Sequence, residues 1–329
     1  RYWNLSIFYF GPLIYNFYRT QNREYIFKYV FMMLAPFVLF TALRTGTSLI
    51  TSPSIARSIK SGDESFGTLR KGIGGYSFIY FLVAVAPIFL YISIEEKRLS
   101  KKALFLGMFF GCAVITILSN YFTALLGLIL SSTIVLVIRS LKKGSIFMTL
   151  LLIIIMIFLI FSGEEFYNGA VDFISNLAGG KTADRLTTMR GSLFQGLVDE
   201  FVGDRLQTFQ YSWNAFIEHF FLGMVADTAS GYLELSNLGQ HSHILDTMAI
   251  WGILWGSINI KILFSPFNRK KRSKNAAVTA AMFIVTIIIF GFNNAVNSVA
   301  FVISIVYPFV TDYYNKERRL PEPEPKPVS

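Results

Sequence analysis

Apolar residues fall in long, nearly unbroken runs separated by short polar and basic stretches, the pattern of a chain threaded repeatedly through a bilayer. A helix needs roughly 20 mostly apolar residues to cross a hydrocarbon core of about 30 Å. Runs of this kind predict spans over 2–18, 25–43, 73–94, 103–119, 121–138, 146–162, 241–264, 276–292 and 296–314. The apolar stretch 103–138 would be about 54 Å long as one helix. That is too long for one crossing, so Ser119-Asn120 is read as a tight turn between two short spans. No fixed-period repeat is evident, and no pair of interrupted spans occupies matching halves, which weighs against a secondary transporter. The expected fold class is an all-α polytopic membrane protein of about nine transmembrane helices.

Composition agrees with the pattern. Of the 329 residues 53% are hydrophobic and only 15% charged, against about 25% charged in a soluble domain. This excludes a soluble enzyme, a disordered protein and a nucleic-acid-binding domain. The net charge of +10 therefore points to topology before it points to a polyanion. Basic residues cluster at Lys97, Arg98, Lys101 and Lys102, at Arg139, Lys142 and Lys143, over 269–274, and at Lys316, Arg318 and Arg319. Cytoplasmic loops carry the excess of Lys and Arg. Placing all four clusters inside leaves 44–72 and 163–240 outside.

Residues 211–225 are apolar enough to tempt a further span, but that span would invert the last three helices. They are read as a helix at the outer surface. The expected organisation is N-terminal spans over 1–162, a large external loop over 163–240, C-terminal spans over 241–314, and a disordered cytoplasmic tail over 315–329. That tail includes the polyproline-type PEPEPKP. The single cysteine, Cys112, lies in an apolar run, which rules out an internal disulfide or a thiolate metal site. The chain begins at Arg1, so the start of the protein is read as missing.

The external segments carry the candidate chemistry. Residues 163–240 hold ten acidic residues and four basic ones, Lys181, Arg185, Arg190 and Arg205. An arginine here either pairs with Asp184, Asp199 or Asp204 at the surface, or clamps a phosphate ester, whose oxygens match the guanidinium fork. Asp204 and Gln207 have the spacing of a capping box, so a helix is expected over about 205–220. Leu206, Phe209, Trp213, Phe216 and Phe220 share one of its faces, with Gln207, Gln210 and Asn214 opposite. The apolar face is read as meeting membrane or core, with a sugar platform as the alternative. Arg205 stands in the first turn, where backbone N–H groups favour an anion.

His219, His241 and His243 close this region. His243 and Asp246 share a helix face, and imidazole titrates where it can accept a hydroxyl proton near neutral pH. Asn293, Asn294 and Asn297 lie at the outer junction of the last two spans; they either bind sugar hydroxyls or form a polar turn. The basic excess of 44–72, with Arg44, Arg57, Lys60, Arg70 and Lys71, either attracts a lipid-linked diphosphate or headgroup or means that this loop faces inward.

The stretches GDRLQTFQYSWNAFIEHFFLG and HSHILDTMAIWGILWG resemble the O-antigen polymerase and O-antigen ligase superfamily. The shared pattern is an Arg before an amphipathic helix, a Leu-Gly corner, a variable loop, then His-Ser or His-Asn leading a helix with a Gly-rich patch. Here these are Arg205, Trp213, Leu222-Gly223, His241-Ser242, Leu245 and Gly252-Ile253 through Gly256. Leu245-Asp246 is closer to capsule or exopolysaccharide polymerases, and Ser242 stands where ligases more often carry Asn. Phe220-Phe221 replaces a proline common before the corner.

The resemblance implies a GT-C-like glycosyltransferase at the outer face of the bacterial cytoplasmic membrane. Its donor and acceptor would be polyprenyl-diphosphate-linked oligosaccharides. It implies that Arg205, with Arg185 or Arg190, binds the diphosphate and that His241 activates the acceptor hydroxyl. His243, Asp246, Asn294 and Asn297 are candidate helpers. No Asp-x-Asp or Glu-x-Asp motif occurs in either external loop, so no metal and no cofactor is expected, and the transfer should invert the anomeric centre. Nucleic acid is excluded as a partner, while a chain-length regulator is left open. The alternatives are an O-antigen ligase, which differs only in its acceptor, and a flippase or other transporter, which should place charges inside its spans.

Overall fold

The computed structural model describes residues 6–51, 72–119, 121–142, 144–145, 204–227, 238, 241–267, 275–293 and 297–317. The expected span 146–162, Arg185, Arg190, Asn294, the tail beyond residue 317 and most of both external loops lie outside the described residues. The described chain is helical without a strand: α1 Ser6–Thr20, α2 Tyr25–Thr51, α3 Tyr76–Glu95, α4 Leu99–Leu118, α5 Phe122–Lys142 and α6 Asp204–Glu218. After a short turn at Met224–Asp227 come α7 His243–Phe264, α8 Ala276–Phe292, α9 Asn297–Phe301, a π-helical stretch Val302–Val306 and α10 Tyr307–Glu317. Five of the described helices are long and apolar enough to cross a membrane, namely Tyr25–Thr51, Tyr76–Glu95, Leu99–Leu118, Thr123–Lys142 and His243–Phe267. The protein is a polytopic helical membrane protein.

Most expected spans fall on helices whose ends are shifted, each for a local reason. The helix expected over 25–43 runs on to Thr51. Thr45 and Thr47 return their hydroxyls to Thr41 and Leu43 carbonyls at 2.6 and 3.0 Å, so polar side chains there do not compete with the helix. Arg44 is accordingly helical rather than part of a loop. α4 ends at Leu118 and α5 begins at Phe122, so the two are separate helices as expected. The described part of α1 is 15 residues long and contains Pro12, about 22 Å at the usual rise. The last expected span is divided. Pro308 offers no N–H, and its ring would crowd the carbonyl four residues before it; the chain widens just ahead of it, with the Tyr307 N–H reaching Val302 O. Helix also continues to Glu317, past the point at which the tail was expected to begin.

α3 is the centre of the bundle. In its most apolar stretch 72% of the residues are buried, against 6% in α2, which runs along the outside. Between apolar helices in lipid, small residues allow close approach. Ala84, Ala86, Ala124, Ala277 and Ala281 are all buried in this core, and Gly127 sits so close to Val83 that a β-carbon would come within 3.2 Å of it.

Polar contacts between helices sort their ends into two sets. At one end Tyr15 and Arg19 meet the Asp312 carboxylate at 2.8 and 2.9 Å, and Arg139 pairs with Glu95. There too Asn275 accepts from Tyr91 at 2.7 Å and donates to Thr311 O at 3.2 Å. At the other end Thr45 accepts from the Gly74 N–H at 2.7 Å, Ser298 donates to Ser77 O at 2.6 Å, and the His243 N–H donates to Asn293 O at 2.9 Å. Arg19, Lys97, Arg98, Lys101, Lys102, Arg139 and Lys142 all fall at the first, basic end, the end that the sequence places in the cytoplasm. Every candidate site residue that the structure describes falls at the far end or close to it.

Candidate functional site at the far end of the bundle

α7 begins where the chain leaves Ser242, an extended residue whose hydroxyl accepts the Leu245 N–H at 3.2 Å as a helix cap. The cap places Asp246 in the first turn, where the helix dipole favours a carboxylate. Asp246 is 8% exposed and accepts a hydrogen bond of 2.6 Å from Ser212 of α6. Ser212 is itself 1% exposed. Further along, Ala215 and Phe216 of α6 pack with Ala249 and Ile250 of α7, and the Ile253 N–H donates to Phe220 O at 2.7 Å. Contacts advance together along both helices, so α6 and the first half of α7 run parallel. Their starts therefore lie at the same end. Arg205 stands about two turns before Ser212 and His241 little more than one turn before Asp246.

The two helices are locked below this level by backbone-to-backbone contact. Gly223 closes α6 at φ +77°, with its N–H on His219 O at 2.9 Å, the left-handed residue that glycine supplies most readily. A β-carbon on Gly223 would overlap Ile250 O and Gly252 N, and one on Gly252 would overlap Phe221 O and Gly223 N. Gly252 has φ +65° and ψ −174°, which is not helical.

α7 is thus two helical segments meeting at a break, where the sequence predicts one continuous span over 241–264. The bend is sharp. Gly256 sits so close to Met248 that a β-carbon would lie 3.2 Å from the Met248 Cα. His243 lies against Phe290 and Phe264 against Phe283, with ring centroids 5.5 and 5.3 Å apart. α7 therefore descends the length of α8 between Phe290 and Phe283, about 10 Å, although a straight helix of its size would cover about 33 Å. Non-helical backbone at membrane depth needs its polar groups met by protein; the Phe220 and Phe221 carbonyls do this for the N–H groups of Ile253 and Leu254.

The aromatic face expected on α6 is divided rather than uniform. Phe216 is buried and Phe209 meets Phe292 at 6.0 Å, but Trp213 is 50% exposed and Leu206 and Phe220 are exposed as well. The face turned to α7 is instead Ser212, Ala215 and Phe216. It is rotated from the expected one because the tertiary partner of Ser212 is a carboxylate.

The remaining expected residues are placed as follows. His241 is half-buried and immediately precedes the Ser242 cap. Arg205 is in the first turn of α6, and its side chain, like the cap geometry of Asp204, lies outside the description. His243 and Asp246 share the first turn of α7, but His243 lies against Phe290 of α8 whereas Asp246 binds Ser212 of α6. Asn297 is exposed at the start of α9.

Sequence reasoning missed Ser212, which has no motif of its own, and underweighted Asn293, whose carbonyl holds the start of α7. It found Gly223 and Gly252 separately, with no signal that they touch. Among the described residues no group of three His, Cys, Asp or Glu side chains could hold a metal ion. The chain matches no family model, no curated protein and no solved structure.

Proposed function

We propose that this protein is a membrane glycosyltransferase of GT-C-like architecture that polymerises polyprenyl-diphosphate-linked oligosaccharide repeat units into O-antigen, capsule or exopolysaccharide. It would work at the outer face of the bacterial cytoplasmic membrane. The observation that carries this reading is the parallel pairing of α6 with the first half of α7, held by Ser212 and Asp246 at 2.6 Å. It gives Arg205 and His241, far apart in sequence, a common end of the bundle. A guanidinium beside a diphosphate and an imidazole beside a hydroxyl are the two groups that the transfer requires.

In this mechanism the acceptor hydroxyl oxygen attacks the anomeric carbon while His241 takes its proton. The bond from that carbon to the diphosphate oxygen breaks, and polyprenyl diphosphate leaves with its negative charge held by Arg205 and by Arg185 or Arg190. Positioned charge in a site of low dielectric stabilises such a leaving group, and a positioned base contributes ~10²–10⁴-fold. Attack opposite the leaving group inverts the anomeric centre. A ligase would use the same groups with a different acceptor.

A transporter of lipid-linked oligosaccharide is the second reading. It is favoured by the broken helix at Gly252 and by the buried Asp246 in the same helix, features common at transporter binding sites.

The test compares wild type with His241→Ala and Arg205→Ala in membranes given a lipid-linked repeat unit, with product ladders read on a gel and protein abundance controlled. The polymerase reading expects both variants to be abundant and to make no chains. Normal ladders from both would overturn it and bring the transporter forward.

A further inference from the structure

Asn293 ends α8 in an extended conformation, and its backbone carbonyl is engaged by the N–H of His243, the first residue of α7. That contact fixes the residue where α6, α7 and α8 converge. The Phe292 ring beside it faces Phe209 of α6, and Phe290 faces the His243 ring. Asn293 is only 6% exposed, yet among the described residues its Nδ2 has no hydrogen-bond partner. The other buried side-chain nitrogen in this condition, Arg139 Nε, belongs to the ion pair with Glu95; Asn293 has no such explanation.

Buried amide donors are almost always satisfied, and one that is not calls for a partner. Ser242, next to His243, is engaged in capping α7, and Ser212 in binding Asp246.

We propose that the Asn293 side-chain amide donates a hydrogen bond to a saccharide oxygen, a hydroxyl or an acetamido carbonyl, of the lipid-linked substrate. This rests on the glycosyltransferase reading and adds to it a substrate-binding residue on α8, apart from the diphosphate-binding arginines and the base. An uncharged amide donor suits a saccharide hydroxyl or acetamido oxygen, whereas a diphosphate calls for charge.

The test uses the full-length protein in liposomes with two probes: the lipid-linked repeat unit extracted from the native host, and polyprenyl diphosphate carrying no saccharide. Asn293→Leu fills the volume without a donor, and Asn293→Ala serves if Leu does not fit. Because an unpartnered amide is removed, the substrate-free variant should melt at the wild-type temperature or a few degrees above it. With the repeat unit its KM should rise about tenfold with little change in kcat, the signature of lost uniform binding. Thermal stabilisation by the repeat unit should weaken, while any stabilisation by plain polyprenyl diphosphate should persist.

A variant that matches wild type in KM while wild type makes chains overturns this inference alone. A lower melting temperature with unchanged KM identifies a structural amide and does the same. Loss of stabilisation by plain polyprenyl diphosphate moves the contact to the diphosphate and overturns the saccharide assignment. A wild type that makes no chains but is stabilised by the repeat unit, with that stabilisation lost in the variants, supports Asn293 as a saccharide contact and overturns polymerisation. A wild type with neither chains nor stabilisation overturns both.

Discussion

The core built on α3, α5 and α8 and the pair formed by α6 and α7 are held together in different ways. In the core, continuous apolar helices meet over many small contacts, and buried hydroxyls such as Thr116 and Thr286 return to their own helix at 2.8 and 2.7 Å. No single apolar residue there decides the arrangement. The α6–α7 pair depends on a few contacts that admit no substitute: two glycines in backbone contact, one serine on one buried carboxylate, and one helix cap. The core is redundant and the pair is not. Such a pair is a costly way to build a wall and a suitable way to fix two groups relative to one another, because closely packed backbones leave little room to drift.

The largest effect expected from this contrast is at the glycines. Gly223→Ala and Gly252→Ala each combine a strained positive φ, about 1–3 kcal/mol, with overlap onto backbone that cannot yield. Either should lower stability by about 3 kcal/mol or more, seen as lost abundance or a collapsed melting transition in detergent. Mild effects at both would mean that the backbone contact is not as close as described.

Next is Arg139→Ala at the basic end, which removes a cation paired with the Glu95 carboxylate, whose side chain is 0% exposed. Removing one partner of a buried pair costs about 3–5 kcal/mol; with Arg139 itself 25% exposed, about 2–3 kcal/mol is expected. Glu95→Gln in the same background should recover part of that loss in the same melting assay.

Ser212→Ala is expected to cost about 1.5–3 kcal/mol, the usual range for a hydrogen bond to a charged group. It should also reduce chain formation, because the start of α6 loses its fixed level against α7. A double-mutant cycle with Asp246→Asn isolates the term; a coupling near zero would remove Ser212 from the account.

The smallest effect has the opposite sign. Gly111→Ala lies in α4, where a β-carbon meets nothing within 4 Å, so it should stabilise by about 0.5–1 kcal/mol. A loss there would mean that α4 has a close neighbour on that face.

The same contrast decides how much was legible in the sequence. Where structure follows from local pattern, reading it works. The apolar run 276–292 is α8, one helix ends at Leu118 and the next begins at Phe122, and the helix expected over about 205–220 is α6. Where structure follows from a tertiary partner, local pattern is silent. Gly252 sits in an apolar run that a straight helix would tolerate, and only Gly223 against it makes a break. The buried face of α6 is set by Asp246, which lies 34 residues from Ser212, and an apolar count favoured Trp213 instead. Thr45 and Thr47 look like a helix end until their hydroxyls are seen bonded back to the helix. Gly223 and Gly252 stand out in the sequence one by one, but their backbone contact does not.

The most direct test of the account is the separation of positions 205 and 241. Arg205→Cys with His241→Cys, in a background where the buried Cys112 is replaced by alanine, can be treated in native membranes with bismaleimides of graded length. Parallel α6 and α7 in the observed register predict efficient cross-linking with spacers of about 10–15 Å, given the 1.5 Å rise per helical residue. The pair Glu218→Cys with His241→Cys, at the opposite end of α6, should react poorly with the same spacers. Equal cross-linking of both pairs, or none at 205 and 241, would contradict the shared end on which the proposed chemistry depends.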